Sequence, residues 1–339
     1  MKNNSITKYI LSAFCAVILF AACSDWTEVR SIEILPPDIE RQNPELYQQY
    51  LANLREFRNS DRRPVYMWFD NSEKTPRSRA HRITSIPDSV DVLVLMHPEN
   101  LVDWELREME QIRRERGTKT IFTIHFDEIK AAFNAKVNAA PDDEPIATEF
   151  RDFAVDSLQH ALSLVRRYNF DGISMGYSGR SLNFMTPAER LDFIQNERLF
   201  VGIMQDWIAR NPNKHIVFQG TPQYLIDKSL LEHAEMIFLQ GHGARSQSEM
   251  TLMLRMASVE GVPANRLGMI VSATALDDPN NVIGFFQNGN LAMYELAIWA
   301  QSPDVAGVGV FNGSTDYFSE PRAYHFVRNL ISSINPPFR

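Results

Sequence analysis

Phe170-Asp171-Gly172-Ile173-Ser174-Met175-Gly176-Tyr177-Ser178 alternates large apolar residues with small ones. Side chains of a strand point to opposite faces in turn. Ile173, Met175 and Tyr177 therefore share one face, and Gly172, Ser174, Gly176 and Ser178 share the other. The large residues suit a covering layer of helices. The small ones suit the interior or rim of a closed barrel, where ligands bind at the C-terminal strand ends. Glu149 to Tyr168 comes just before and carries Phe150, Phe153, Ala154, Leu158, Ala161, Leu162 and Val165 at helical spacing. A helix feeding a buried strand is the repeating unit of a parallel sheet.

The same unit recurs along the chain. The other β-rich segments are Val65 to Phe69, Val90 to His97, Thr120 to Phe126, Ile216 to Gly220, Met236 to Gln240, Leu267 to Ala273 and Ala306 to Asn312. Several are unbroken apolar runs, as expected for strands covered by helices. Helical patterns occupy Asp103 to Arg116 before Gly117, Thr186-Pro187 to about Arg210, Leu225 to Ala234, Ser246 to Glu260, Leu291 to Ala300 and Ala323 to Ile334. Thr186 with Glu189 has the spacing of a capping box, and Pro187 suits a first helical position. Asn71 to Ser89 reads as irregular or only briefly helical. The expected fold is α/β, a (β/α)8 TIM barrel over residues 61–339, with a short helical extension at Glu45 to Arg58. No glycine-rich phosphate loop, internal repeat or low-complexity stretch is present.

The first 22 residues read as a signal peptide: Lys2 and Lys8 precede an apolar run from Tyr9 to Ala22. That run is too short for a permanent membrane span. Phe20-Ala21-Ala22-Cys23 is similar to a bacterial lipobox, so residues 23–60 read as a lipid-anchored tether followed by the N-terminal helix. The cysteines of the chain are Cys15 and Cys23. After cleavage neither a disulfide within the chain nor a cysteine metal site is possible. Cys23 then serves as the site for palmitate-type acylation, and the expected location is the outer membrane, facing the cell surface or the periplasm. Asp25 and Glu28 resemble the acidic export signals of surface lipoproteins in Bacteroidetes-type bacteria. The net charge of −8 gives no basic footprint for nucleic acid.

The segment from Asp171 to Ser178 resembles the fourth-strand signature of glycoside hydrolase family 18, the chitinases and endo-β-N-acetylglucosaminidases, which reads Asp-Gly-x-Asp-x-Asp-x-Glu. Asp171 and Gly172 match. Ser174, Gly176 and Ser178 stand where the three acids belong. In that family the substrate's acetamido oxygen attacks the anomeric carbon, one Asp holds the acetamide, and the Glu protonates the leaving oxygen. A serine hydroxyl cannot supply that proton at neutral pH, and loss of a general acid alone removes on the order of 10²–10⁴-fold of rate. The family's strand-six Tyr and strand-eight Trp are replaced by Gln240 and by Phe311 or Asn312. The resemblance therefore implies a non-catalytic, glycan-binding barrel that partners an oligosaccharide, the bacterial membrane and an outer-membrane glycan transporter complex. One alternative is an active endo-acting glycosidase whose acid comes from Asp70, Asp127, Glu128 or Asp316. Another is a structural lipoprotein that binds no sugar.

Polar and aromatic residues cluster at the strand ends. Trp68, Asp70, His97, His125, Tyr177, Ser178, Gln219, Gln240, His242, Asn312 and Asp316 are the candidate ligand contacts. Together they make a mouth suited to sugar hydroxyls and apolar sugar faces. His97, His125 and His242 lie on different strands without H-x-H or H-E-x-x-H spacing, so no metal or other cofactor is expected. Asp127-Glu128 and Asp277-Asp278 read as loop residues or helix caps. Mass spectrometry of membrane-extracted protein is expected to find an acylated N-terminus at Cys23. A Cys23→Ala form that stayed in the membrane fraction would remove the anchor from this reading.

Overall fold

The computed structural model describes residues 42–141, 148–274 and 282–336. The leader, Cys23, most of the tether and Asp277-Asp278 lie outside them. The chain divides into two compact units, residues 1–49 and 50–339. The described part of the first unit, residues 42–49, includes the opening turns of helix α1 (Pro44–Asn59), as the sequence predicts for Glu45 to Arg58.

The second unit is a closed barrel of eight parallel strands in chain order. They are β1 (Val65–Phe69), β2 (Val92–Leu95), β3 (Lys119–His125), β4 (Gly172–Tyr177), β5 (His215–Gly220), β6 (Met236–Gln240), β7 (Leu267–Ser272) and β8 (Gly307–Phe311). Every expected strand is present within a few residues. The covering helices are α2 (Asp103–Arg116), α3 (Phe126–Ala139), α4 (Phe150–Arg167), α5 (Pro187–Arg210), α6 (Gln247–Ala257), α7 (Ala292–Trp299) and α8 (His325–Ile334). Helix α2 ends on Gly117, whose φ of 70° is left-handed. Helix α5 opens on the expected capping box: Thr186 Oγ1 accepts from Glu189 N at 3.3 Å, and Glu189 Oε2 accepts from Thr186 N at 2.8 Å. These bonds hold the Glu189 carboxyl below its usual range.

Two expectations are corrected. Residues Leu225 to Ala234 form no α-helix; the segment holds 3₁₀ turns at Pro222–Tyr224 and Lys228–His233. Asp227 intervenes, and its carboxylate accepts from Ser229 N and so caps the second turn instead of continuing a helix. Helix α3 was not anticipated. It starts directly from β3, places Asp127 and Glu128 in its first turn and packs Phe126, Ile129 and Phe133 inward or against neighbouring rings.

The alternation read from the sequence holds. Ile173, Met175 and Tyr177 belong to the shell between sheet and helices, with Met67, Phe122, Phe170, Phe218 and Leu239. The barrel interior holds Tyr66, Trp68, Val92, Val94, Ile121, Val217, Met236, Phe238 and Ile270. Phe238 meets Tyr66 and Trp68 edge-on at 4.8 and 5.8 Å between ring centroids, within the favoured range for aromatic pairs.

The barrel floor is polar. Asp91, just before β2, accepts from Arg58 at 2.9 Å, from Arg62, and from Val65 N at 2.7 Å. Arg58 also donates to the carbonyls of Asp88 and Val90 and to Thr118. Desolvation lowers the Arg58 pKa, and Asp91 opposes that shift. His215 sits beside this clamp, with Nε2 at 2.8 Å from Tyr66 Oη and Nδ1 at 2.7 Å from Glu235. Asp91→Ala leaves two nearly buried guanidinium groups without their counter-charge, and breaking such a pair costs about 3–5 kcal/mol. A thermal melt is expected to fall by roughly 10 °C. Lys130→Ala, which breaks an exposed pair with Asp192, is expected to stay within about 0.5 kcal/mol of the parent.

Candidate functional site

The mouth of the barrel is built first from neighbouring strands β3, β4 and β5. Their register places His125 beside Gly176 and Gly176 beside Gln219, all on the inward face. Any side chain at Gly176 would have to push the His125 ring aside. A Cβ at this position would lie 2.3 Å from His125 Nδ1, well inside van der Waals contact. The imidazole of His125 thus stands in the space that a side chain at 176 would need. One step deeper, Ser174 registers with Thr123 and Val217. Ser174 is fully buried and Gln219 is 2% exposed. Ser174 Oγ and Gln219 Oε1 are without hydrogen-bond partners. Buried polar atoms are nearly always paired, so these two are exceptions in a closed part of the interior.

Trp68 forms the floor of this chamber. It is 2% exposed, its ring edge meets Phe238, and its indole N–H donates to Thr123 Oγ1 at 3.3 Å. The ring is already packed inside the barrel and offers little face to a ligand. That corrects the expectation of an open stacking platform.

The opposite wall comes from β6, β7 and β8. Gln240 is inward-facing and partly buried. His242 follows in a short turn, with Nδ1 2.9 Å from Ser272 Oγ and its ring edge-on to Phe311 at 4.9 Å. Desolvation on that side, and then the nearby His125, hold the His242 imidazole below its ordinary pKa. At the rim, His97 Nε2 lies 3.3 Å from Asp70 Oδ1, and Asn71 pairs with both backbone groups of His97. Asn312 takes a left-handed φ of 51° and receives a hydrogen bond from Ser314. A cavity of about 820 Å³ adjoins the mouth beside β3; Thr123, His125 and His97 line it with residues of α3 and α4.

Several expected residues lie elsewhere. Tyr177 points outward into the helix layer, stacked on Phe200, and donates to Glu197 at 2.9 Å. Burial and then Glu197 push its hydroxyl pKa far up. It touches no ligand space. Asp316 is 1% exposed and caps α8, accepting from Val327 N at 2.8 Å and from Ser319 Oγ at 2.6 Å. Burial raises its pKa, but its oxygens already serve these donors. Asp171 is at the far end of the barrel, where it accepts from Arg113 at 2.8 Å and from Thr120 N at 2.7 Å. Ser178 is exposed just past β4, and its N–H donates to Asp127. Thr123 and Ser272 belong to the site and were missed. Thr123 was within reach of the sequence, because it shares the inward face with His125 two residues on; Ser272 needed the His242 contact. Among the described residues, no group of three or more His, Cys, Asp or Glu is placed to hold a metal ion, and no helix is long and apolar enough to cross a membrane.

Solved structures with the same fold include a selenomethionine form of BT1044 carrying a glutamate-to-glutamine substitution. It has a TM-score of 0.62 and 14% identity, and the match covers 88% of this chain and 95% of that one. The apo endo-β-N-acetylglucosaminidase of Cordyceps militaris aligns with a TM-score of 0.60 and 13% identity, over 85% of this chain and 96% of its own. A Group II chitinase catalytic domain of Ostrinia furnacalis aligns at 0.51 and 11%, over 81% and 96%. No curated protein matched the sequence. The profile described as glycoside hydrolase family 18, BT1044-like, matches residues 27–333. With that span and a closed eight-stranded barrel, the chain belongs to glycoside hydrolase family 18, in its BT1044-like branch.

Proposed function

We propose that this protein is a lipid-anchored, glycan-binding member of its family that does not hydrolyse glycosidic bonds, and that it serves a bacterial glycan-utilisation system at the outer membrane beside a glycan transporter. The observation that carries the non-catalytic reading is the contact between Gly176 and His125. The inward face of β4 holds Ser174 and Gly176, and an imidazole occupies the room beside Gly176. The chemistry left in the mouth is hydrogen bonding. Amide and imidazole groups of Gln240, His125 and His242 suit sugar hydroxyls. Structures of the Cordyceps militaris enzyme include a complex with fucosyl-N-acetylglucosamine-Asn, which supports a glycan as the ligand class. The anchor and the transporter rest on the Cys23 leader alone.

The rival reading, a hydrolase with a relocated acid, finds no support in the strand-end carboxylates. Asp316 is consumed as a helix cap, and Asp127 receives the Ser178 N–H. Asp70 faces His97 and accepts from Ser72 N. Glu128 is 78% exposed on α3. Glu128 lines the cavity beside β3 with Glu99 and Asp156, a cavity that neither Gly176 nor Ser178 borders.

The purified protein is expected to release no product from chitin oligomers or a high-mannose glycopeptide. Gly176→Asp with Ser178→Glu is expected to stay inactive and to lose about 1–3 kcal/mol of stability, because the new Cβ overpacks against His125. Adding His125→Ala should recover much of that loss in a thermal melt. Turnover by the parent, abolished by Asp70→Asn or Glu128→Gln, would establish the rival. Gln240→Ala is expected to weaken glycan binding about tenfold by calorimetry. Unchanged affinity would move the site away from the mouth.

A further inference from the structure

The open space at this mouth lies to one side of it. The barrel interior is closed by its apolar layer, with Trp68 buried among Tyr66, Val94 and Phe238. The cavity of about 820 Å³ opens instead beside the ends of β2 and β3 and is walled by α3 and α4. Its size is usual for a small-molecule site. No described residue of β4 to β8 borders it. The imidazole of His125 is the partition between this cavity and β4. Its Nδ1 is the ring atom nearest the Cβ position at 176, and its Nε2 lies 4.0 Å from Glu128 Oε1 on the cavity side.

The base of the cavity is apolar. Ile124 and Leu164 are buried there, and Ile129, Ala132, Phe153 and Ala161 extend the same wall from the two helices. The charged groups can be followed element by element. The turn after β2 gives His97 and Glu99, β3 gives His125, α3 gives Glu128 and Lys136, and α4 gives Asp156 and His160. Glu99 lies 3.7 Å from His160 Nε2, and both side chains are exposed. His97 faces Asp70 at 3.3 Å. The Lys136 ammonium sits 4.6 Å from the centre of the Phe153 ring. With neutral imidazoles the lining carries three carboxylates, Glu99, Glu128 and Asp156, against one ammonium. It is an apolar wall edged by strong hydrogen-bond acceptors.

We infer that this cavity is a subsite for a neutral branch of an oligosaccharide, whose remaining units lie across the mouth toward Gln240 and His242. The inference rests on the glycan-binding reading and names the class of glycan. A pyranose presents a face of C–H groups and an edge of hydroxyls. The face suits the wall of Ile129, Ala132 and Phe153, and the hydroxyls donate to Glu99, Glu128 and Asp156. Hydrogen bonds to an ionised acceptor are about twice as strong as neutral ones. Lys136, on a flexible stem, adds a donor. The carboxylate of a sialic or uronic acid in the same place would meet three like charges and a single ammonium, and like-charge contacts of this kind reject a competing ligand. His125 borders both the cavity and the β4 side of the mouth, so a branched or extended chain can pass over it and fill both.

The test is calorimetry on the full chain in detergent. The ligands are a neutral high-mannose oligosaccharide and a sialylated biantennary oligosaccharide beside its desialylated, neutral form. At least one neutral chain is expected to bind, and the sialylated form is expected to bind more weakly than its desialylated counterpart. Ala132→Trp places a ring in the cavity from an exposed position of α3, and Asp156→Ala removes one acceptor from an exposed position of α4. Each should weaken binding of the neutral chain about tenfold, with the thermal melt unchanged. Ala132→Trp should also erase the difference between the sialylated and desialylated forms. Neutral chains that bind both variants as tightly as the parent, while Gln240→Ala weakens them, overturn this inference and leave the glycan reading standing. Tighter binding of the sialylated form by the parent also overturns it. Failure of every chain to bind removes both readings. If Ala132→Trp does not fold, Asp156→Ala and the parent's neutral-to-acidic ratio decide alone.

Discussion

The placement of every inward residue on the central strand depends on Asp171. Its carboxylate accepts from Thr120 N on β3 and from the Arg113 guanidinium on α2, so the start of β4 is tied to the preceding strand and to the helix layer at once. Gly172 sets the complementary limit on the other side, since a Cβ there would lie 1.8 Å from the His215 carbonyl oxygen. A slip of one residue would turn Ile173, Met175 and Tyr177 into the barrel and Ser174 and Gly176 out of it. The two residues that match the family signature are therefore those that fix the strand. The positions that differ are those that would have done chemistry.

This division explains why the architecture was readable and the site only partly so. Strands and most helices follow from local periodicity. The inward and outward faces of β4 follow from alternation, which already placed Tyr177 in the helix layer, so its inclusion among ligand contacts went against the strand's own pattern. Asp316 was harder. A polar residue after the last strand resembles a rim residue until the chain folds back and α8 lands its first N–H groups on the carboxylate. Helix α3 left a fainter mark, because its apolar residues Phe126, Ile129 and Phe133 begin where β3 ends and read as a continuation of that strand. The contact between His125 and Gly176 joins residues 51 positions apart and depends on register, which no local pattern supplies.

The mouth and the floor use the same residue types to opposite ends. At the floor, His215 is enclosed by Tyr66, Lys119 and Glu235, and two arginines converge on Asp91. Nearly every charge there meets its complement, as expected of a region that holds the fold together. In the mouth, Ser174 and Gln219 carry unsatisfied buried atoms, as Arg58 Nε and Arg62 Nε do at the floor. Such atoms cost free energy wherever they are buried.

The close approach of His125 to Gly176 also couples the two positions. A side chain at 176 has to displace the imidazole, because its first atom would lie 2.3 Å from Nδ1. A smaller residue at 125 would open room beside Gly176 and supply no proton donor by itself. Each of the two changes is therefore harmful or idle when taken alone. The two positions therefore form one unit, and any redesign of this mouth has to change both at once.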